Sequence, residues 1–340
     1  MFKRKNIYLA LKRYLAGLAL YSLAMLLYTQ SGYYHRFLSR DTILALTALY
    51  LVYVFAGLPW LIWHQPRKHK SVLMLGAVFE FFRLFRSFSV SHLPGKKKLE
   101  VSLSKENKTA LLFMLVKIFY VPIMLNYFFA NSRSAVFFLQ NRLLDGNFSF
   151  NFRVDYVNLF SIIFMLDTVF FVFGYLVEHP RLKNVIKSVE PTALGWAVAL
   201  ASYPPFSTIT GGYLNWYSSD YFKFPDPAVD WLMKIVVLLL LCLYLWATFS
   251  LGFKCSNLTS RGVVRNGAYK YIRHPAYVGK MLAWWIMALP RLSLGMMASL
   301  AGWTLIYYLR AVTEERHLVS DPDYRRYIKQ TRYRFIPGVV

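Results

Sequence analysis

Eight apolar segments constrain this chain more than any other feature of its sequence. A helix that crosses a membrane needs about 20 consecutive apolar residues. The segments, some of them shorter than this, are 14–30, 42–63, 109–130, 154–177, 192–208, 229–252, 276–289 and 294–312. With 57% hydrophobic residues and a mean hydropathy of +0.37, the chain is too apolar for an ordinary soluble domain. The sequence therefore predicts an all-α, polytopic integral membrane bundle of about eight spans, in which the last two form a helical hairpin.

The strong positive charge of the chain follows the pattern of a membrane topology. The net charge is +24, from 40 Lys and Arg against 16 Asp and Glu. If the N-terminus is cytoplasmic, 29 of the 40 basic residues fall in segments on the cytoplasmic side, which is the positive-inside bias of membrane proteins. We therefore expect both termini in the cytoplasm, at the inner membrane if the source is bacterial. We therefore expect the basic residues to lie at the surface of the lipid bilayer, and we do not expect the protein to bind nucleic acid.

The region before the C-terminal quarter is predicted to be mostly membrane helices. Its large inner loop, 64–108, contains a charged apolar stretch that is typical of an interfacial helix. Asp167 lies near the middle of one predicted span, and Lys117 on another could pair with it. The Pro-rich stretch after residue 178 includes His179 and Glu190, which could approach a site on the inner side.

The most polar pattern of the chain lies between the last apolar segments. It runs Gly-Ala-Tyr-Lys-Tyr-Ile-Arg-His-Pro-Ala-Tyr-Val-Gly at 267–279. Pro275 lacks a backbone N–H and suits the first turn of a helix, which places His274 at the N-cap. Such a helix start presents free N–H groups and a positive dipole end to a ligand.

The return helix of the hairpin carries a second polar pattern. Arg310 and Glu314 are four residues apart and share one helical face, and Glu315 follows directly. A turn at Pro290 would bring the end of this helix back beside His274. We therefore expect the loop, His274, Arg310 and the two glutamates to converge at one membrane surface. The two cysteines, Cys242 and Cys255, cannot build a metal cluster, so no metal site is predicted.

These patterns resemble the isoprenylcysteine carboxyl methyltransferases and their phospholipid methyltransferase relatives. The matching pieces are Gly-x-Tyr-x-x-x-Arg-His-Pro-x-Tyr-x-Gly at 267–279, Glu-Glu-x-x-Leu at 314–318, Tyr-x-x-Tyr at 324–327 and Arg-x-x-Pro at 334–337. The resemblance covers about the last quarter of the chain. It implies two regions: an N-terminal transmembrane region, 1–253, and a methyltransferase-like catalytic region, 254–340.

The resemblance also implies a cofactor and roles for individual residues. The cofactor would be S-adenosylmethionine, and the acceptor would be the carboxylate of a lipid-like or lipidated molecule, methylated at the cytosolic leaflet. Arg310 and Glu314 would be catalytic, with Arg310 placing the carboxylate. The cofactor would be bound by Gly267, Tyr269, Arg273, His274, Pro275, Tyr277, Gly279 and Glu315.

Two other functions stay open at this stage. Sterol and isoprenoid reductases that use NADPH have a similar C-terminal pattern, and Tyr-Arg-x-x-Pro-Gly at 333–338 fits their ending. A transporter or scaffold without enzymatic activity is the third possibility. The identity of the acceptor, the oligomeric state and the choice between Glu314 and Glu315 as the cofactor contact also stay open.

Overall fold

The chain folds almost entirely into helices. A computed structural model describes residues 2–64, 70–91, 104–144, 152–216 and 223–339. The α-helices of this described part are α1 (Phe2–Gln30), α2 (Gly32–Phe37), α3 (Arg40–His64), α4 (Lys70–Ser91), α5 (Lys105–Leu144), α6 (Phe152–Leu176), α7 (Ala193–Leu200), α8 (Phe206–Tyr213), α9 (Pro227–Leu251), α10 (Pro275–Ala288), α11 (Leu294–Leu318) and α12 (Pro322–Gln330). Two short strands, β1 (Ser188–Val189) and β2 (Thr259–Ser260), pair antiparallel. The predicted all-α class is therefore confirmed.

Five helices of the described part are long and apolar enough to cross a membrane. They are Ile7–Gln30, Arg40–His64, Lys105–Arg142, Asp155–Leu176 and Pro227–Lys254. Each corresponds to a span predicted from the sequence, so five of the eight are confirmed by length and composition. The sidedness of the chain stays a prediction.

The other three predicted spans are helical but differ from single spans. Segment 192–208 is divided into α7 and α8, because Pro204 and Pro205 cannot continue a helix. Helix α10 has 14 residues, or about 21 Å, which is shorter than a hydrocarbon core of about 30 Å. Helix α11 is long enough, but its second half carries several charged residues.

Residues 1–122 form the first of two compact units. In it α1 packs against α3: the hydroxyl of Tyr14 donates to the carbonyl of Val54 at 2.8 Å, and the hydroxyl of Tyr53 donates to the carbonyl of Tyr14 at 3.2 Å. Helix α4 coincides with the predicted interfacial helix, and its Glu80 accepts a hydrogen bond from Asn107. The parts of the predicted inner loop at 65–69 and 92–103 lie outside the described residues.

Residues 123–340 form the second unit, which contains all of the polar patterns described above. Its core is built by α6, α9, α10 and α11, with Trp284, Trp303 and Tyr307 packed edge to face at its centre. Within this unit Asp167 accepts hydrogen bonds from the hydroxyls of Tyr244 and Thr248, both at 2.6 Å. Asp167 therefore has two hydroxyl partners on α9, and its predicted pairing with Lys117, a residue of the other unit, stays a prediction. The predicted regional boundary at 253/254 falls inside this unit and stays a functional prediction.

Candidate active site

The start of α10 matches its prediction from the sequence. Pro275 is the first helical residue and His274 is the N-cap. The backbone N–H of Arg273 donates to the carbonyl of Tyr333, and that of His274 donates to the carbonyl of Arg334, both at 3.0 Å. The C-terminal tail is therefore hydrogen-bonded to the loop just before the helix, which gives the closing Arg-x-x-Pro pattern a structural reason.

Glu315 holds three parts of the chain together. Its carboxylate accepts hydrogen bonds from Arg273 Nε at 2.8 Å and from His274 Nε2 at 3.0 Å. It also accepts one from Arg334 of the tail at 2.8 Å. Burial raises the pKa of Glu315, but the hydrogen bonds from these three cationic or ionisable groups outweigh burial and hold the pKa well below its usual range. We call Glu315, Arg273, His274 and Arg334 the Glu315 cluster.

Glu314 and Arg310 occupy a different face of α11. Glu314 accepts a hydrogen bond from the hydroxyl of Tyr277, and its side chain is 37% exposed. The guanidinium of Arg310 lies over the rings of Tyr277 and Tyr307, at 5.3 and 5.0 Å from their centroids. The structure thus brings together the predicted residues of the loop and the return helix, with His274 Nδ1 3.8 Å from a carboxylate oxygen of Glu314.

Arg310 is buried and forms no ion pair in the part of the chain that the structure describes. Its residue is only 4% exposed, and its hydrogen bonds go to neutral groups, Asn257 at 3.0 Å and Ser202 at 3.4 Å. No salt bridge to Arg310 is found within the described residues, and its Nε atom has no hydrogen-bond partner there. A buried charge is ordinarily paired, so this guanidinium is suited to an anion from outside the chain.

A cavity of about 220 Å³ joins these groups. Of the predicted site residues it is lined by Tyr269, Arg273, His274, Tyr277, Arg310 and Glu314. Gly267, Pro275, Gly279 and Glu315 are not among its lining residues. The two neighbouring glutamates therefore have separate positions: Glu314 faces the cavity, and Glu315 is held by the cluster beside it.

The two glycines of the pattern are explained by helix packing. A Cβ atom at Gly279 would lie 2.5 Å from the carbonyl oxygen of Leu240 on α9. Gly267 has φ +60°, and a Cβ atom there would lie 2.1 Å from Ser250 Oγ. Glycine at these positions allows α10 and its preceding loop to contact α9 closely. Their predicted cofactor contact stays a prediction.

The cavity is also lined by ionisable groups that the sequence patterns had not assigned to the site. Glu190 is 3% exposed and lines the cavity, as the sequence suggested it could, whereas His179 caps a short turn and is not a lining residue. The Oε2 atom of Glu190 and the Nη2 atom of Arg261 are buried without a hydrogen-bond partner. His317 also lines the cavity and is hydrogen-bonded to Ser188 at 2.8 Å. Burial lowers the pKa of His317, and the carboxylates of Glu190 and Glu314 only partly oppose this shift.

Sequence reasoning missed several lining residues. Lys280, Tyr203, Tyr244, Asn257 and Tyr307 come from three helices and two loops and converge only in the folded chain. Lys280 carried the one usable signal, because an ionisable residue inside an apolar segment is often functional.

The comparison with family models supports a methyltransferase. Residues 232–321 match the family described as "PEMT: Phospholipid methyltransferase". This range includes all of α10 and α11 and most of α9, but not the closing tail. No curated protein and no solved structure matches the chain. The match is consistent with a membrane methyltransferase that acts on lipid, and it favours this function over the reductase considered above.

Proposed function

We propose, starting from the phospholipid methyltransferase domain that residues 232–321 form, that the protein methylates the carboxylate of a lipid-like or lipidated acceptor with S-adenosylmethionine at the cytosolic leaflet. The observation that carries this proposal is Arg310: a buried guanidinium that lines the cavity and lacks a carboxylate partner within the described residues.

The groups around the cavity fit the cofactor chemically. The amino-acid end of S-adenosylmethionine carries a carboxylate and an ammonium, and its adenine is a flat ring. Arg261 and Glu190 each line the cavity with a buried atom that has no hydrogen-bond partner, and their charges are opposite in sign. His274 and Tyr277 stack in parallel at 5.4 Å and offer flat faces. We assign cofactor binding to these four residues together with Tyr269 and Arg273.

The cofactor supplies a methyl group on a sulfonium, and its transfer to a carboxylate oxygen breaks one S–C bond, forms one C–O bond and moves no proton. The chain therefore needs no general base for a carboxylate acceptor. Its residues have to align the two reactants and exclude water, which is the main source of rate acceleration in such a displacement.

Arg310 positions the acceptor in this proposal. Its planar guanidinium can bind a carboxylate through two parallel hydrogen bonds. The rings of Tyr277 and Tyr307 hold it in place, while its neutral partners Asn257 and Ser202 leave its charge available. Glu314 fixes the hydroxyl of Tyr277 and places a negative charge beside the cationic donor.

Glu315 acts through other residues in this proposal. Its carboxylate oxygens are engaged by Arg273, His274 and Arg334, so it orients the loop that contacts the cofactor. Gly267, Pro275 and Gly279 contribute in the same way, through the backbone geometry of the loop and the start of α10.

The test uses purified protein in lipid nanodiscs with methyl-tritiated S-adenosylmethionine and added fatty acids. Carboxyl methyl esters release tritiated methanol in base, whereas methylated amines keep the label. We expect base-labile label from the wild type, and a rate about 10- to 150-fold lower for Arg310→Gln, the loss of one to two hydrogen bonds to a charged group. Arg326→Gln on the surface of α12 is the control.

Three results would overturn the proposal. The first is base-stable label in an amine, and the second is saturable binding of NADPH without binding of S-adenosylmethionine. The third is a rate for Arg310→Gln equal to that of the Arg326→Gln control.

A further inference from the structure

Lys280 lies inside a box of aromatic rings. Its ammonium is 5.2 Å from the ring centroid of Trp284, 5.7 Å from Tyr244, 5.8 Å from Tyr307 and 6.0 Å from Phe164. The four rings come from α6, α9, α10 and α11, and we call them the aromatic box. Cages of this type bind ammonium groups through the negative faces of their rings, and quaternary ammonium ligands are their usual occupants.

The aromatic box opens onto the cavity of the candidate active site. Lys280 itself, Tyr244 and Tyr307 are lining residues of that cavity. Arg310 contacts the same ring of Tyr307, at 5.0 Å from its centroid. The box and the proposed carboxylate site are therefore two adjacent parts of one cavity, and they share a side chain.

Within the described residues, no carboxylate forms an ion pair with Lys280. The salt bridges of the described residues include none to Lys280. The buried carboxylate of Asp167 interacts with Lys280 electrostatically but not as an ion pair, and it accepts hydrogen bonds from Tyr244 and Thr248 at 2.6 Å. Two cations, Lys280 and Arg310, thus line the same cavity, and both contact the ring of Tyr307, at 5.8 and 5.0 Å from its centroid.

We propose that Lys280 determines acceptor specificity by filling the aromatic box with the chain's own ammonium, so that amine-headed lipids are excluded and an anionic headgroup is bound. This inference rests on the proposed function and specifies the charge class of its acceptor. An ammonium head that entered the cavity would meet both the occupied box and the charge of Lys280. At about 5 Å and an effective dielectric constant of about 20, this repulsion corresponds to an affinity loss of more than 100-fold.

The test compares two amphiphiles with the same chain length, laurate and dodecyltrimethylammonium, as radiolabelled probes in equilibrium binding to the full-length protein in nanodiscs. The variants are Lys280→Met, which keeps the length of the side chain and removes its charge, and Lys280→Arg, which keeps the charge. We expect the wild type and Lys280→Arg to prefer laurate. We expect Lys280→Met to gain at least tenfold in affinity for dodecyltrimethylammonium and to lose at least tenfold for laurate.

Binding of S-adenosylmethionine, measured on the same samples, separates the two proposals. If the wild type binds S-adenosylmethionine and esterifies laurate but Lys280→Met gains no affinity for dodecyltrimethylammonium, the inference is wrong and the proposed function stands. If the wild type binds dodecyltrimethylammonium as tightly as laurate, the inference is also wrong. A thermal unfolding midpoint of Lys280→Met close to that of the wild type ensures that either result comes from folded protein, and a variant that does not fold is replaced by Lys280→Gln.

Discussion

We expect neutralisation of the two neighbouring glutamates on α11 to have different effects: Glu315→Gln should lower the stability of the protein, and Glu314→Gln its activity. Glu315 is 8% exposed in its side chain and accepts three hydrogen bonds of 2.8–3.0 Å from Arg273, His274 and Arg334. Removing one partner of a buried ion pair costs about 3–5 kcal/mol, because the remaining charge is left uncompensated. Arg334 is 23% exposed and can be hydrated again, so we expect the lower end of this range, about 3 kcal/mol, for Glu315→Gln.

The matched control is Glu314→Gln, one residue away on the same helix. Glu314 is 37% exposed and has one hydroxyl donor, Tyr277, which an amide oxygen can still satisfy. We expect its thermal midpoint to stay within about 2 °C of the wild type, while methyl transfer falls at least tenfold. For Glu315→Gln, the expected loss of about 3 kcal/mol in the free energy of unfolding corresponds, in a unit of about 200 residues, to a thermal midpoint lower by roughly 6–12 °C.

The assay is thermal unfolding followed by tryptophan fluorescence in detergent, with trypsin cleavage of a C-terminal epitope as a second readout. Because Glu315 anchors the tail through Arg334, Glu315→Gln should expose the tail to trypsin at a temperature where Glu314→Gln is still protected. A Glu315→Gln protein that melts with the wild type and keeps its tail protected would refute the role assigned to the Glu315 cluster.

Three further predictions concern packing, acid stability and the cofactor. Gly279→Ala places a Cβ atom 2.5 Å from the carbonyl oxygen of Leu240 and should lower the free energy of unfolding by about 1–3 kcal/mol. Gly76→Ala, whose Cβ atom would meet nothing within 4 Å, should not lower it. The thermal unfolding midpoints of the two variants test this difference. Because the pKa of Glu315 is lowered in the folded state, its ionised carboxylate stabilises the protein above the unfolded pKa of about 4.3, and this stabilisation is lost as the pH falls further. The thermal unfolding midpoint should therefore decline less steeply between about pH 5 and 3 in Glu315→Gln than in the wild type. Glu190→Gln should weaken binding of S-adenosylmethionine by about tenfold in equilibrium dialysis, and unchanged affinity would remove Glu190 from the cofactor site.

Local rules predicted the C-terminal hairpin well. Proline chemistry alone placed the start of α10 at Pro275 and the break before α11 at Pro290. The helical period placed Arg310 and Glu314 on one face. Each of these features depends on residues within one or two turns of each other, which is why one sequence was sufficient.

Features that depend on distant contacts could not be predicted. Glu190 and Arg316 are 126 positions apart in sequence but 3.2 Å apart in the fold. The hydroxyl partners of Asp167 lie on α9, about 80 positions away in sequence, so no local rule could indicate them. The division of roles between Glu314 and Glu315 had the same cause. Adjacent helical residues point about 100° apart, and only the packing of α11 decides which one faces the cavity.

The distribution of charge in the cavity is consistent with an anionic acceptor beyond any single contact. All four charged groups line the cavity: the proposal assigns Glu190 and Glu314 to the cationic donor, and Lys280 and Arg310 to the acceptor. Esterification removes the negative charge of the acceptor, so the product is no longer attracted to Lys280 and Arg310. A neutral, more apolar product then gains by moving into lipid, whereas an amine acceptor would keep or increase a positive charge beside two cations. The same two residues would therefore favour binding of the substrate and release of the product.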